Sequence, residues 1–140
     1  MSAKPDLGRF ASFGMGVTPP EDAAAIEALG YGAVWVAGSP PAELDWVDPV
    51  LEETRTLKLA TGIVNIWTAR PEAVAASFHR IEKNAYPGRF LLGIGGVGHP
   101  EADAQFTKPI TALNTYLDVL DEHGVPPQRP RAGRASARRS

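Results

Sequence analysis

Near the start of the chain, a short continuous run of apolar residues is followed by apolar residues at helical spacing. The apolar, glycine-rich stretch 10–17 predicts a buried strand, and the next four residues, TPPE, supply an N-cap (Thr18), a proline at the first helical position and a capping-box glutamate. This helix should run to Leu29, with Gly30 closing it. The apolar run 33–37 then predicts a strand buried on both faces, which completes a first β-α-β unit.

The same alternation continues to residue 124. The predicted elements are a second helix at 48–56, a third strand at 57–67, a third helix from Pro71, a fourth strand at 90–94 and a fourth helix at 109–123. Four strands alternating with four helices, without strict in–out alternation, predict a parallel sheet covered by helices, so the fold class is α/β. A doubly wound sheet and a (β/α)₈ barrel share this local pattern, and periodicity does not decide between them.

Composition limits the class of protein. At 140 residues and 44% hydrophobic residues, the chain has the size of one domain. It has no cysteine, which excludes disulfides, thiolate metal sites and a cysteine nucleophile. The first residues lack a basic segment leading into an apolar run, and no stretch approaches the ~18 apolar residues of a membrane span. We therefore expect a cytoplasmic protein without a membrane segment.

The charge is unevenly distributed. Residues 1–125 hold all 16 acidic residues and 9 of the 14 lysines and arginines, a net charge of −7, so the tail 126–140 carries +5. This Arg- and Pro-rich tail has no apolar periodicity and is expected to be disordered, outside a folded domain at 1–125. It is either a basic arm that contacts phosphates or the product of translation in a shifted frame. The abrupt change after a regular helix favours the second, so a nucleic-acid partner is not expected.

A glycine motif follows the fourth strand. The segment 93–98, GIGGVG, matches G-x-G-x-x-G, and Asp118 lies 20 residues beyond its last glycine, as in dinucleotide-binding folds. In that fingerprint the helix begins within the motif, whereas here the periodic helix waits until Pro109. The motif instead predicts a loop whose backbone can closely approach a ligand.

Three other residues have side chains of the kinds that bind a ligand or transfer a proton. Asn65 and Trp67 end the third strand, where parallel sheets place their ligands, although Asn65 can equally cap a turn and Trp67 can pack under the following loop. His99 follows the fourth strand and is either a general base or a solvated loop residue. No histidine and carboxylate cluster has metal-ligand spacing, so no metal is expected.

Taken in order, three segments resemble the luciferase-like monooxygenase superfamily, and within it the actinobacterial branch that uses the deazaflavin coenzyme F-420. They are 27–38 (EALGYGAVWVAG), 57–101 (LKLATGIVNIWTARPEAVAASFHRIEKNAYPGRFLLGIGGVGHPE) and 110–124 (ITALNTYLDVLDEHG). The resemblance implies a (β/α)₈ barrel, which typically has about 250 residues. Residues 1–125 would then be its N-terminal half, a partial TIM-type barrel of four parallel β/α units.

The resemblance also implies a coenzyme site at the carboxyl ends of the strands. Family members have a bulged third strand with a non-proline cis peptide behind the isoalloxazine ring. The implied coenzyme-binding residues are Gly62, Ile63, Val64 and Asn65 on strand three, Gly95, Gly96 and Gly98 after strand four, and Ser39 after strand two. Many members have an acidic residue and a histidine at the end of strand two, where this chain has Gly38 and Ser39, so His99 becomes the candidate for catalytic proton transfer.

The resemblance therefore predicts an oxidoreductase of the monooxygenase type that acts on a small organic substrate. F-420 is the expected coenzyme, and FMN is the alternative. A truncated chain would lack the later strands, which in the family hold much of the phosphate site and substrate pocket, and would be inactive alone. The open edges of a half barrel favour a homo-oligomer. The alternative from another class is a non-catalytic remnant or interaction module with a phosphate-binding tail.

Overall fold

A computed structural model describes residues 6–84, 87–96 and 108–126 of the chain. The strands are β1 (Ala11–Met15), β2 (Ala33–Ala37), β3 (Lys58–Thr61), β4 (Val64–Asn65), β5 (Phe90–Leu91) and β6 (Ile94–Gly95). The helices are α1 (Pro20–Ala28), α2 (Val47–Glu53), α3 (Pro71–Lys83) and α4 (Pro109–Glu122). In the described segments, no helix combines the length and the apolar character needed to cross a membrane.

The strands form two parallel sheets that follow the order of the chain. One sheet has the order β1-β2-β3-β5, and the other pairs β4 with β6. Since β4 follows β3 and β6 follows β5 with only two residues between, the second sheet extends the first. A doubly wound sheet reverses its strand order at a switch point, and this sheet does not. The fold is therefore α/β with the strand order of part of a (β/α)₈ barrel.

The hydrophobic core lies between one face of the sheet and the helices. Val34 and Val36 of β2 point to this side, and their register partners on β3, Leu59 and Thr61, are also fully buried. From α3, Phe78 meets Phe90 of β5 with ring centroids 6.4 Å apart. Side chains alternate along a strand, so the neighbouring positions face the opposite side.

On that opposite side, four strands contribute to one cross-strand row. Phe13 is in register with Trp35, Trp35 with Ala60, and Ala60 with Leu91. We call Phe13, Trp35, Ala60 and Leu91 the inner row, because this face is the interior of a closed barrel. Within the described residues no helix covers it, and Phe13 is 64% exposed.

The first two helices begin at positions other than those predicted. Helix α1 begins at Pro20 with Pro19 as its N-cap and no side-chain cap, so the predicted capping box is wrong, and Thr18 is buried instead. Helix α2 begins at Val47 with Trp46 as its N-cap, which places Asp48 in the first turn. There Asp48 accepts a hydrogen bond from Arg80 of α3 at 2.9 Å.

The third and fourth strands are each interrupted. Residues 62 and 63 separate β3 from β4, and residues 92 and 93 separate β5 from β6. The Gly62–Ile63 peptide bond is cis, the feature that the resemblance implied for strand three. The continuous strands predicted at 57–67 and 90–94 are therefore wrong in detail, although the β-structure lies where it was expected.

Candidate functional site

The candidate site lies where β4 pairs with β6. Val64 is in register with Ile94, and Asn65 with Gly95. Both strands extend the main sheet at the carboxyl ends of its strands. Parallel α/β sheets bind ligands at these ends. The two interruptions, at 62–63 and 92–93, lie immediately before this pair and determine its position.

A buried threonine joins the two interruptions. The Thr61 hydroxyl donates to the carbonyl of Gly93 at 2.8 Å and accepts from the N–H of Gly93 at 2.9 Å. The same carbonyl accepts the N–H of Val64 at 2.8 Å. A Cβ on Gly93 would overlap the carbonyl oxygen of Thr61, so only glycine fits at this point. These contacts fix β4 against β6.

Asn65 and Trp67 close the carboxyl end of the pair. Asn65 Oδ1 accepts the N–H of Trp67 at 2.8 Å, and the Trp67 indole N–H donates to the carbonyl of Gly96 at 2.8 Å. Gly96 has φ +87°, and a Cβ there would approach Asn65 Cγ to 2.9 Å. Asn65 therefore caps a turn and Trp67 packs onto the next strand. The Asn65 amide nitrogen has no hydrogen-bond partner among the described residues, which leaves its two N–H donors for a ligand.

Small and apolar groups form the walls around this pair. A Cβ on Gly62 would lie 3.4 Å from the side chain of Trp35 in the inner row. A Cβ on Gly95 would lie 3.4 Å from the side chain of Ile63. Val64, in contrast, is fully buried in the helix-side core, so only its backbone is available to a ligand. The segments 62–67 and 93–96 contain no ionisable side chain. They are suited to bind a flat, uncharged ring but not to transfer a proton.

Ser39 lies two residues after the end of β2, and among the described residues no hydrogen bond joins it to the β4–β6 pair. It is exposed, has φ +49°, and its hydroxyl has no hydrogen-bond partner among the described residues. Ser77 and Arg80 of α3 hold the rest of its loop by bonding to the carbonyls of Ala42, Glu43 and Leu44.

Two predicted residues lie outside the described part of the chain. They are Gly98 and His99. Residues 127–140 of the basic tail also lie outside it. The assignment of proton transfer to His99 stays a prediction. Within the described segments, no group of three His, Asp or Glu residues is placed to hold a metal ion.

Sequence reasoning did not select Trp35, Thr61 or Gly93 as site residues. Trp35 is the one bulky side chain in a strand of alanines and valines, which marks a special position. Thr61 is the one hydroxyl in the run 58–66, but its partner Gly93 lies 32 residues away, so the sequence gives no sign of the contact.

A cavity of about 410 Å³ lies elsewhere, between the start of α3 and α4. Its lining residues are Pro71, Lys108, Thr111, Ala112, Thr115, Tyr116 and Val119. The Tyr116 hydroxyl donates to the carbonyl of Ala69 at 2.8 Å, which attaches α4 to the turn after β4. Burial and the nearby charge of Glu72 raise the pKa of Tyr116 above its ordinary value, so the phenol stays a donor. This cavity is a second location at which ligand binding has to be tested.

Comparison with known protein families gives one match. The family model described as luciferase-like monooxygenase matches residues 20–123, which include every strand after β1 and all four helices. A search of curated proteins finds no match.

Proposed function

Because the chain belongs to the luciferase-like monooxygenase family, we propose that β4 and β6 bind the ring of a deazaflavin coenzyme of the F-420 type. Family membership makes this an oxidoreductase domain of the monooxygenase type, and such proteins use a flavin or deazaflavin on small molecules. The alternative of a non-catalytic interaction module is not favoured by the match. The proposed substrate is a small organic molecule.

One observation carries the proposal: the paired strands β4 and β6 have glycines in or next to them, and apolar side chains lie beside these glycines. Because Gly62 and Gly95 have no side chain, a ligand can approach their backbone closely. Ile63 and Trp35 provide apolar contact beside them. A flat aromatic ring gains favourable packing against such a surface. The free amide donor of Asn65 would orient a polar edge of the ring, because an unpaired acceptor in an apolar site is costly.

When bound, the coenzyme would supply the hydride or oxygen chemistry. The residues of the chain would hold the ring, orient it and exclude water. We assign ring contact to Gly62, Ile63, Gly95 and Gly96, backbone support to Val64, and a hydrogen bond to Asn65. Ser39 and Gly98 are proposed to contact the coenzyme from the neighbouring loops, and His99 to move a proton.

The resemblance of segments 57–101 and 110–124 to F-420-dependent proteins supports the deazaflavin over FMN. Residues 1–125 are proposed to form the N-terminal half of a (β/α)₈ barrel, which is supported by four parallel strands in chain order. The two coenzymes share a three-ring system, so the apolar walls alone do not distinguish them.

An equilibrium titration tests the proposal. The chain is titrated with F-420 and separately with FMN, and coenzyme fluorescence is followed. We expect saturable binding of both, tighter for F-420. If FMN binds more tightly, the deazaflavin assignment is wrong, and if a folded chain binds neither, the site assignment is wrong.

Variants of Asn65 separate its two roles. Asn65→Asp keeps an acceptor for the Trp67 N–H but removes the amide donor, whereas Asn65→Ala removes both. We expect both to weaken coenzyme binding about tenfold, the loss of ~1.4 kcal/mol from one hydrogen bond, while only Asn65→Ala also lowers the free energy of unfolding. Asn84→Ala, an exposed asparagine at the end of α3, is the matched control and should bind normally. Normal binding by Asn65→Asp would show that the amide does not contact the coenzyme.

A further inference from the structure

We propose that Ser77 and Arg80 of α3 are positioning residues for Ser39. They hold the loop between β2 and α2 (38–46) in the conformation that presents the Ser39 hydroxyl to a ring bound at β4 and β6. Neither residue touches the ring itself, and both act through the backbone of the loop. The inference rests on the proposed function, because it assumes that the ring binds there.

Ser39 lies at the border of the candidate site. Strands β2 and β3 are parallel with Val36 in register with Thr61, and the N–H of Gly62 donates to the carbonyl of Val36 at 2.8 Å. The chain therefore leaves β2 next to the point at which β3 is interrupted. Ser39 follows two residues after the end of β2, is exposed, and carries a hydroxyl that can donate or accept a hydrogen bond.

The loop has two residues in the left-handed region, which side chains rarely adopt. Ser39 has φ +49° and Leu44 has φ +50°. Such a backbone persists only where surrounding contacts hold it. The Leu44 side chain is buried, so packing holds that residue. Ser39 is exposed, so its conformation has to be held through the residues on either side of it.

Two side chains of α3 hold the second half of the loop. The Ser77 hydroxyl donates to the carbonyl of Ala42 at 2.6 Å and lies 3.0 Å from that of Glu43. The Arg80 guanidinium donates to the carbonyls of Glu43 at 2.9 Å and Leu44 at 3.2 Å. Three consecutive carbonyls of the loop are therefore bound by one helix, which fixes the position and the orientation of this segment.

Two prolines transmit this constraint to Ser39. Pro40 and Pro41 join Ser39 to Ala42, and a proline ring fixes φ at about −65°. Pro40 is also buried. On the other side of Ser39, the last residue of β2, Ala37, is buried in the sheet. Ser39 is thus an exposed hydroxyl between two fixed segments, and a shift of the carbonyls bound by α3 would move it.

A double-mutant cycle on F-420 binding tests the role. Ser39→Ala removes the hydroxyl, and Arg80→Lys keeps the charge but not the geometry of the guanidinium. We expect each single variant to bind F-420 about fivefold more weakly, and the double variant no more weakly than Ser39→Ala, because Arg80 acts only through Ser39. Losses that multiply to about 25-fold in the double variant, or normal binding by either single variant, would overturn the proposal.

Arg55→Lys is the matched control. Arg55 is exposed and lies between α2 and β3, at the amino end of the sheet. The substitution is the same as at Arg80, so a general effect of replacing arginine by lysine would appear in both variants. We expect Arg55→Lys to bind F-420 as the wild-type chain does. Equal weakening by Arg55→Lys would show that the effect at Arg80 does not come from the loop.

Amide chemical shifts of the coenzyme-free, ¹⁵N-labelled chain separate this role from coenzyme binding. Ser77→Ala and Arg80→Lys should both shift the Ser39 amide. The amides of Val64 and Ile66, which bond to the neighbouring interrupted strand, should stay unchanged. An unchanged Ser39 amide in both variants would refute the positioning role, whether or not the coenzyme binds. A shifted Ser39 amide in a chain whose wild type binds no coenzyme would instead refute the proposed function.

Discussion

Gly93 is the first glycine of the segment GIGGVG, and the reason for it is steric. Its backbone bonds to the Thr61 hydroxyl in both directions, and a side chain would overlap the Thr61 carbonyl. Gly95, two residues further, would place a Cβ in ordinary contact with Ile63 at 3.4 Å. Gly93 therefore joins the two interrupted strands through Thr61.

These two glycines give a matched pair of substitutions. Gly93→Ala should lower the free energy of unfolding by about 2–3 kcal/mol, because the backbone of β3 or β5 has to move to admit the methyl group. Gly95→Ala should change it by less than about 1 kcal/mol. Urea denaturation followed by circular dichroism measures both values, and equal effects would show that the Thr61 contact is not tight.

The residue roles at the site were only partly predictable. The position of Asn65 and Trp67 at a strand end could be inferred, and so could the turn-capping role of Asn65, but not the hydrogen bond from Trp67 to Gly96. The burial of Val64 in the helix-side core could not, because an interrupted strand changes which positions face the helices. A contact such as that between Thr61 and Gly93 depends on strand register, which a single sequence does not contain.

Helix α3 fixes the loop that carries Ser39. The Arg80 guanidinium donates to Asp48 of α2 through Nη2 (2.9 Å) and Nε (3.3 Å), and to the carbonyl of Glu43 at 2.9 Å. Ser77 adds a bond to the carbonyl of Ala42 at 2.6 Å. The planar guanidinium reaches both partners at once, which a lysine cannot do.

Arg80→Ala should therefore lower the free energy of unfolding by about 2 kcal/mol, and Arg80→Lys should restore less than half of it. Arg70→Ala is the control, since Arg70 is 85% exposed and meets Glu72 only at 3.9 Å; its effect should stay within about 0.5 kcal/mol. Thermal denaturation of the three variants compares them. Full recovery by Arg80→Lys would mean that charge alone, and not the two-way geometry, holds the loop.

Element types were predictable from the sequence, whereas their boundaries were not. Apolar spacing and start signals located all four helices, but α2 begins before Asp48, and that carboxylate bonds to Arg80 instead of capping the helix. Leu29, expected in the apolar stripe of α1, is 76% exposed. The contact between Asp48 and Arg80 is tertiary and is not visible in local spacing.

On the scale of the whole molecule, one carboxylate joins the first helix to the third strand. Glu27 near the end of α1 accepts the N–H groups of Arg55, Thr56 and Leu57, at 2.8 to 3.1 Å. Partial burial alone would raise the pKa of Glu27, but these three backbone donors and the charge of Arg89 lower it below its ordinary value of 4.5.

The stability of the fold should consequently depend on Glu27 in one pH range. A depressed pKa in the folded state adds stability above pH 4.5, and this contribution is lost as the pH falls through the folded pKa. Glu27→Gln should cost about 1–2 kcal/mol at pH 7 and less at pH 3. Glu53→Gln, an exposed carboxylate on α2, is the control, and urea denaturation at both pH values measures the difference. A cost for Glu27→Gln that is the same at both values would contradict the assigned role.

The order of strands was the feature of the whole molecule that periodicity left open. It required pairing between residues as distant as Leu59 and Phe90, and the resemblance, not the pattern, pointed to a barrel. The parallel order β1-β2-β3-β5 agrees with that expectation.

The location of the coenzyme is the central claim, and amide chemical shifts of the ¹⁵N-labelled chain test it most directly. On addition of F-420, we predict shifts concentrated at residues 61–67 and 93–96. Shifts confined to the cavity around Thr111 and Tyr116, or to no residues at saturating coenzyme, would contradict it.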